Sequence, residues 1–467
     1  MKLGKLSLVA VMALGTSAYA LEDIKVDGEA KLWYQTSEFS GGATAVPAAT
    51  AAQGFFDHDT NSVAEAKLSI GASAKLLQNV SGAVKLTALS TLGLENNLVG
   101  AIPAAKFNND GTAASGALND QSWVEVANLK YAQKEFDVAA GRMALQTPLC
   151  FTESWNVVDN TFEAVVAHGY FLPDTILAAA WVGKHNGVGL FQDGAKEFAA
   201  VDANTTFNGA GRGTTVANGG TFNTFATEGA YAFAVINKSL PETTLQAWYY
   251  NVPQVADAYW LQADSKLMGM FSVGVQYAGM KPKLSAATVG TAGYLAAAAD
   301  ADVVKQNSDV FAIKASADVA GVNVYAAYST VSTGTLGFAN VATGDKSMVY
   351  TALGSIYMDG EIAAAPDTDA WKIGASTKMV PGVTLSASYA QAETGANAGA
   401  AIGTTASAVG GASTLNTDFT AWDVTASTKI GMLDLTAIYT QFDKDVKADD
   451  TNDKTTDTLR IIASLKF

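Results

Sequence analysis

The sequence predicts an all-β fold: a closed antiparallel transmembrane β-barrel of about 18 strands over residues 21–467, with 16 strands as the alternative. Three observations predict it. Apolar and polar residues alternate along long segments, and short and long connections alternate between those segments. The chain also ends on an alternating apolar segment whose last residue is Phe467.

Residues 1–20 have the pattern of a secretory signal peptide. Lys2 and Lys5 give a positive start, Leu6–Leu14 is apolar, and small residues precede a cleavage point after Ala20. The apolar run is too short for a membrane-spanning helix, which needs about 20 residues. We therefore expect an exported protein.

Composition excludes several classes of function. A net charge of −15, with few arginines, is unsuited to binding nucleic acid, which needs a concentrated basic face. Cys150 is the only cysteine, so there is no disulfide framework. No spacing of histidine, cysteine or acidic residues indicates a metal, and no nucleophile or nucleotide motif occurs. We expect no cofactor and no enzymatic activity.

The alternation is clearest in Ile24–Thr36, where every charged residue has an odd number and shares one face of the predicted strand. Ala64–Leu76 and Trp422–Ile430 show the same pattern. Each strand therefore has one face for an apolar medium and one for water. Such separation is required in a bilayer, because a lysine on the lipid face near the midplane costs about 2–4 kcal/mol.

The connections fall into two groups, as expected for short periplasmic turns and long extracellular loops. Gly334–Asp369 is the weakest stretch, where one strand could be misplaced, and the connection at Pro253–Val255 is unusually short for the outer side. The predicted short turns lie near Gln78–Asn79, Ala132–Lys134, Leu172–Asp174, Ser239–Glu242, Met268–Gly269, Ala320–Gly321, Pro381–Gly382 and Gly431–Met432.

Two local segments resemble known bacterial proteins. The C-terminal segment, with Leu465 and Phe467 on one face, resembles the signal read by the outer-membrane assembly machinery. Gly141–Pro148, followed by Asn160–Ala164, resembles the OprD-like and major outer membrane protein porins of the Campylobacter group. Those are eighteen-stranded barrels, usually homotrimers, whose third loop folds inward and narrows the pore.

The resemblance implies an inserted third loop at about residues 147–161. It also implies a pore constriction formed by Arg142, Glu153, Asp159 and Glu163, in which acids face bases across the narrowest section. OprD-type channels for carboxylates resemble one another in a row of pore-lining arginines. This chain departs from that pattern, because it has only three arginines: Arg142, Arg212 and Arg460.

The sequence therefore predicts a porin in the outer membrane of a Gram-negative bacterium, open to passive diffusion of ions and small hydrophilic solutes, with a mild preference for cations. Membrane lipid and lipopolysaccharide are the expected surroundings. Two alternatives stay open: a substrate-specific outer-membrane channel, and a surface-layer or adhesin protein without channel activity. The Asp443–Asp457 segment could bind divalent cations, although a solvated loop suits its composition better.

Overall fold

The structure is a computed structural model. It describes residues 22–40, 54–56, 62–94, 120–187, 216, 218–225, 228–253, 255–283, 306–334, 336–344, 346–354, 362–395, 416–447 and 453–467. The predicted signal peptide and most of the predicted long loops lie outside these residues. No helix in the described ranges is long and apolar enough to cross a membrane.

Strands account for most of the described chain. They are β1 (Glu22–Ser40), β2 (Ser62–Leu77), β3 (Val80–Ser90), β4 (Gln121–Ala132), β5 (Phe136–Met143), β6 (Gln146–Thr147), β7 (Cys150–Phe151), β8 (Phe162–Leu172), β9 (Thr175–His185), β10 (Asn223–Thr224), β11 (Ala230–Asn237), β12 (Thr243–Val252), β13 (Ala256–Leu267), β14 (Phe271–Pro282), β15 (Ser308–Val319), β16 (Val322–Val331), β17 (Thr368–Thr377), β18 (Val383–Thr394), β19 (Thr417–Ile430), β20 (Leu433–Val446) and β21 (Lys454–Lys466).

Eighteen of these strands form one closed antiparallel barrel, which confirms the predicted fold class. Each long strand pairs with the next along the chain, and β1 pairs with β21 to close the cylinder. At the seam, the backbones of Gly28 and Phe467 exchange two hydrogen bonds of 2.7 and 3.0 Å. The three two-residue strands are extra: β6 pairs with β7, and β10 adds to β9.

The short turns all lie where the sequence predicted them, at one end of the barrel. Two of them contain a pair of consecutive residues with positive φ, Met268–Gly269 and Ala320–Gly321. This geometry is that of type I′ turns, whose twist matches that of the flanking strands. The predicted short connection at 253–255 is also present between β12 and β13, at the opposite end.

The two faces of the barrel wall differ in character. On β13, Tyr259 and Leu261 point outward and are 38% and 46% exposed, whereas Ala258 and Trp260 point into the lumen and are buried. Large apolar side chains occupy the outer face of most other strands in the same way. An apolar outer surface of this extent suits a hydrocarbon environment and would be unstable in water.

A band of tyrosines marks the outer face towards the long-loop end. Tyr259 on β13 donates a hydrogen bond of 3.1 Å to Asp309 on β15, and Tyr439 on β20 donates one of 2.8 Å to Asp457 on β21. Amphipathic rings at the border between apolar and polar surroundings are typical of a membrane interface.

Candidate functional site

The segment between β5 and β8, residues 144–161, crosses the lumen. Its start is a small hairpin, since Thr147 Oγ1 donates to the carbonyl of Cys150 at 2.8 Å. Leu149 packs among the alanines and tryptophans on the inner side of the strands from β11 to β15. Val157 and Val158 are buried against Trp33 and other inner residues of β1–β4, on the far side of the barrel.

A second segment, between β16 and β17, also folds into the lumen. It falls in the stretch where the sequence left a strand uncertain, and it adds no strand to the barrel. Phe338 is fully buried against the inner side of β11–β15, and Leu353 against that of β17–β20. Alanine recurs among the inner side chains of these strands, so the wall leaves space for the segment.

Glu153 joins the two inserted segments. Its carboxylate accepts hydrogen bonds from Asn340 Nδ2 at 2.8 Å, from the Lys346 backbone N–H at 3.1 Å and from the Thr343 hydroxyl. It also accepts one of 2.6 Å from the Trp155 indole. Because Glu153 is only 3% exposed, burial raises the pKa of its carboxyl above the ordinary value. Its role in this structure is to hold the loops together.

Ion pairs line the inner wall opposite the second segment. Lys67 Nζ lies 2.5 Å from Glu29 Oε2, and Lys85 Nζ lies 2.7 Å from Glu125 Oε1. Lys31 donates a hydrogen bond of 3.3 Å to the carbonyl of Asn156 in the first segment. Positive and negative groups therefore alternate on this side of the lumen, and the first segment lies against them.

Arg460, on β21, is the central cation of this wall. Its guanidinium lies 4.5 Å from the centroid of Trp33 and 5.3 Å from that of Trp155. Its Nε and Nη2 donate hydrogen bonds of 3.1 and 2.7 Å to Gln35. A guanidinium held between two aromatic faces is fixed in orientation, so the barrel wall and the first segment are joined at this point.

The second segment has its own polar contact with the wall. Tyr350 donates a hydrogen bond of 3.0 Å to Asp264, and Lys314 lies 2.8 Å from the same carboxylate oxygen. Lys346 lies 5.4 Å from the centroid of Trp155, between the two segments. The two inserted segments and the inner wall that they contact thus carry lysines, an arginine and carboxylates, most of them in close pairs.

Arg142 and Glu163 differ from their predicted place at the pore constriction. Arg142 pairs in register with Ala127, and Ala127 with Val84, which is 42% exposed on the outer face. Residues opposite one another in a sheet share a face. Arg142 therefore points outward, where its Nε donates to Glu163 at 3.0 Å. The prediction for these two residues is wrong, because the strand register points both away from the lumen.

The other predicted residues lie as follows. Asp159 is partly exposed on the first segment and interacts electrostatically with Lys31 and Lys85, consistent with a place at the constriction. Glu153 lies between the two inserted segments and is buried, so its carboxylate is shielded from solutes in the pore. Leu465 and Phe467 lie at the closing seam of the barrel.

Sequence reasoning missed the second inserted segment and the cations near it, Lys346 and Arg460. A signal was present for the segment. Alanine recurs at the inner positions of β11–β18, as at Ala278, Ala312 and Ala390, whereas charged residues recur at the inner positions of β1–β3. Small apolar side chains facing a water-filled lumen would be unusual, so they indicate that something apolar covers them.

Solved structures with this architecture provide the comparison. OccK8 (OprE) of Pseudomonas aeruginosa is similar over 95% of this chain and 98% of its own, with a TM-score of 0.64 and 14% identity. OpdK of the same organism, solved with vanillate, is similar over 94% and 98%, with a TM-score of 0.61 and 12% identity. OccAB4 of Acinetobacter baumannii is similar over 95% and 98%, with a TM-score of 0.61 and 10% identity. The fold is shared.

No family model and no curated protein matches the sequence. The structural neighbours are OprD/Occ channels, so the broader of the two resemblances, to OprD-like porins, agrees with the fold. The narrower resemblance, to the Campylobacter group, stays a prediction. At these identities the likeness concerns the fold alone.

Proposed function

We propose that the chain is an outer-membrane porin through which ions and small hydrophilic solutes diffuse passively. One observation carries the proposal: a closed barrel of 18 strands with an apolar outer face encloses a lumen lined by charged groups. Barrels of about 16–18 strands are wide enough for an aqueous channel. The charged inner wall around Lys31, Glu29 and Lys85 provides a polar surface for solvated ions.

Single-channel conductance in a planar bilayer tests this proposal. Detergent-purified protein should insert in discrete conductance steps that do not rectify strongly. The matched control is the same protein unfolded by heating before addition, because a barrel that has lost its tertiary structure should give no steps. Folded protein that inserts without any conductance would refute the channel and favour the surface-layer or adhesin alternative.

A mild preference for cations is the finer part of the proposal. It is supported by the partly exposed Asp159 of the first inserted segment, which lies near Lys31 and Lys85 of the inner wall. The test is the reversal potential in a salt gradient. Asp159→Lys should move it towards anion preference, while Asp159→Asn should give a smaller shift in the same direction, since charges near a narrow pore attract counter-ions.

Glu163→Gln is the matched control for that experiment. Glu163 is an acid near the start of β8, just after the first inserted segment. It points to the outer face, so its neutralisation should leave the reversal potential unchanged. If Asp159→Lys leaves the reversal potential at the wild-type value, Asp159 does not act on ions in the pore. If the wild type prefers anions, the proposed cation preference is wrong while the channel stands.

A substrate-specific channel is the second candidate, and one observation favours it. Cations and aromatic rings meet at the constriction, where Arg460 and Lys346 lie 5.3 and 5.4 Å from the centroid of the Trp155 ring. Such a site suits an aromatic carboxylate, and a neighbour of the same fold was solved with vanillate. Vanillate should then reduce the ionic current in a concentration-dependent way, whereas neutral vanillyl alcohol should not. Equal effects of both compounds would favour general diffusion.

We further propose that the barrel is a homotrimer inserted by the outer-membrane assembly machinery, as the resemblance implies. The terminal pairing of Phe467 with Gly28 supports a role for the C-terminus in closing the barrel. Mass measurement of the detergent complex tests the subunit number. Conductance steps that occur in threes would agree with a trimer, and uniform single steps would contradict it.

A further inference from the structure

A cavity of about 640 Å³ opens on the outside of the barrel wall, where β4, β5, β8 and β9 approach the long-loop end. The channel proposed above lies on the other side of this wall. The cavity is lined by small and apolar side chains and by four charged ones: Arg142, Lys184, Glu163 and Glu228. It is therefore separate from the lumen.

The band of outward-facing aromatic rings at this end of the barrel is interrupted beside the cavity. Each long strand from β9 to β20 contributes one ring to the band, from Trp181 on β9 to Tyr439 on β20. Within their described length, β3, β4, β5 and β8 contribute none at this end, where their outward residues include Ala88, Arg142 and Glu163. Interfacial rings lie at the level of the lipid headgroups. A headgroup can therefore approach the wall more closely at this gap than elsewhere.

The apolar part of the cavity lies on the side nearer the short turns. Val165 and Trp181 are 41% and 40% exposed there, on the same outer face as the rest of the apolar surface. A Cβ atom at Gly183 would clash with the Trp181 ring, so glycine at this position lets the indole lie across the strand. The result is an apolar floor that continues the lipid-facing surface of the barrel.

The polar part of the cavity has hydrogen-bond donors to spare. Arg142 uses Nε for Glu163 and Nη1 for the carbonyl of Val124, while its Nη2 donates to no described residue. Lys184 Nζ lies 3.7 Å from Glu163, too far for a hydrogen bond, and is 48% exposed. Glu228 is exposed at the rim and makes no ion pair within the described part of the chain.

Two other lysines of the outer rim are held more closely by carboxylates. Lys283 Nζ lies 2.5 Å from Asp257, and Lys447 Nζ lies 2.5 Å from Asp418. Arg142 and Lys184 share one carboxylate between them, so their donors are directed towards the open side of the cavity. Two adjacent cations with free donors above an apolar floor suit a ligand that carries a phosphate and an acyl chain.

We propose that this cavity binds lipopolysaccharide by a phosphate of its acylated disaccharide. Arg142 and Lys184 donate to the phosphate, and an acyl chain lies on Val165 and Trp181. The inference rests on the outer-membrane location proposed above, with the long loops on the outside, where lipopolysaccharide is the expected lipid. It does not depend on what the channel conducts.

One divalent cation completes the charge balance of the site. The two cations and two carboxylates of the cavity balance one another, so the about two negative charges of a phosphate monoester need a further partner. Mg²⁺ held between the phosphate and Glu228 supplies it. No group of three or more metal-ligating side chains occurs in the described ranges, so the phosphate provides the other oxygen ligands.

Native mass spectrometry of the full chain refolded in detergent tests the proposal. The probes are lipid A, which is the acylated disaccharide with its phosphates, and lipid A from which the phosphates have been removed. With Mg²⁺ present, the wild type should retain one lipid A molecule at a collision energy that removes the dephosphorylated form. Lys184→Ala should weaken this retention about tenfold, as expected for the loss of one charge-assisted hydrogen bond.

A chelator distinguishes the role of Glu228. Removal of Mg²⁺ should weaken the retention of lipid A by the wild type severalfold, because the phosphate then lies beside an uncompensated carboxylate. Glu228→Gln should show no such dependence on Mg²⁺, because it lacks the carboxylate that joins the cation to the wall. An equal effect of the chelator on both proteins would overturn the bridging role.

Lys281→Ala is the matched control. Lys281 is an exposed lysine on the outer face of β14, outside the cavity, so its removal should leave retention at the wild-type level. Equal losses in Lys184→Ala and Lys281→Ala, or equal retention of the two probes by the wild type, would overturn the site. Dissociation of an oligomer by Lys184→Ala, with lipid A retention unchanged, would assign the cavity to a subunit contact and also overturn it. Conductance is measured without lipid A, so failure here leaves the channel proposal intact.

Discussion

Replacing Glu153 by alanine should release the two inserted segments from one another. The carboxylate is the acceptor for three groups of the second segment, the Asn340 amide, the Thr343 hydroxyl and the Lys346 backbone N–H. Asn340 and Thr343 are buried, so each loses one acceptor without gaining water, while Asn340 Nδ2 keeps the Phe151 carbonyl at 2.8 Å. A buried donor left unsatisfied costs about 1–3 kcal/mol.

Two such donors give a destabilisation of about 2–6 kcal/mol. The variant no longer buries a carboxylate, and burial raises the pKa of that group, so the lower half of the range is the better expectation. A loss of about 3 kcal/mol raises the population of the opened form by more than about a hundredfold, since each 1.4 kcal/mol is a factor of ten.

The native thiol provides the assay. Cys150 is the only cysteine of the chain, is 6% exposed and packs against Ala342 of the second segment. Burial raises the pKa of this thiol, so it reacts slowly while the segments stay together. We expect thiol labelling of folded Glu153→Ala to be at least about tenfold faster than that of the wild type. The control is Glu163→Ala, which also removes a glutamate side chain, but one that lies on the outer face of the barrel.

The result that would refute this reasoning is a labelling rate for Glu153→Ala within twofold of the wild type, with both proteins folded by circular dichroism. In that case the hydrogen bonds of Glu153 would contribute no net stability, and apolar packing of Phe338 and Leu149 would hold the segments alone. Equal acceleration in Glu163→Ala would instead indicate general loosening of the barrel.

Three further outcomes are expected. A carboxyl whose pKa is raised by folding binds its proton more tightly in the folded state. The contribution of Glu153 to stability is therefore greatest at low pH and falls as the pH rises from about 4.5 through the raised pKa. The free energy of unfolding of Glu153→Gln, measured with denaturant, should lack this fall with pH, and identical pH profiles for the two proteins would contradict the expectation. Replacing residues 336–353 by a short glycine-serine linker should increase single-channel conductance severalfold, whereas an unchanged conductance would mean that the segment does not narrow the pore. Gly28→Leu should lower the heat-modifiable folded fraction severalfold, because a Cβ there would clash with the Phe467 ring, and wild-type yield would show that the ring moves aside freely.

The barrel could be predicted from the sequence because its physical requirement is local. Every spanning strand must alternate, and every short turn needs residues that accept its backbone angles, as at Ala320–Gly321. The register then follows from the short turns, since strands joined by two residues can pair in only one way. Turn positions and closure follow at this level, whereas the choice between 18 and 16 strands stayed open because Gly334–Asp369 lacks clear alternation.

The face of Arg142 could also have been found by alternation. Phe136, Val138, Ala140 and Arg142 share one parity on β5, and Asp137 has the other. Following the parity to the end of the strand places Arg142 with the apolar outer residues. The family resemblance suggested a constriction role instead, and it was the weaker guide, because a strand side chain can reach only the face to which the pleat directs it.

The role of Glu153 could not be predicted, because its partners lie about 190 positions away in the chain, in a segment without regular structure. Nothing in either segment alone shows that they meet. The meeting depends on the barrel diameter and on the size of the inner side chains, both of which are properties of the closed wall. Long-range contacts between irregular segments are therefore the part of the site that only the structure provides.

Net charge is a poor guide to ion selectivity in this molecule, because the charges are divided between the two faces of the wall. Acids such as Asp309 and Asp457 face outward, where they accept hydrogen bonds from tyrosines at the outer rim. In the lumen, Glu29 is paired with Lys67, and such pairs contribute little field at a distance. Selectivity then depends on the few lumenal charges outside these pairs, foremost Asp159. Charge reversal at Asp159 is consequently a sharper test of the proposed cation preference than any change in total charge.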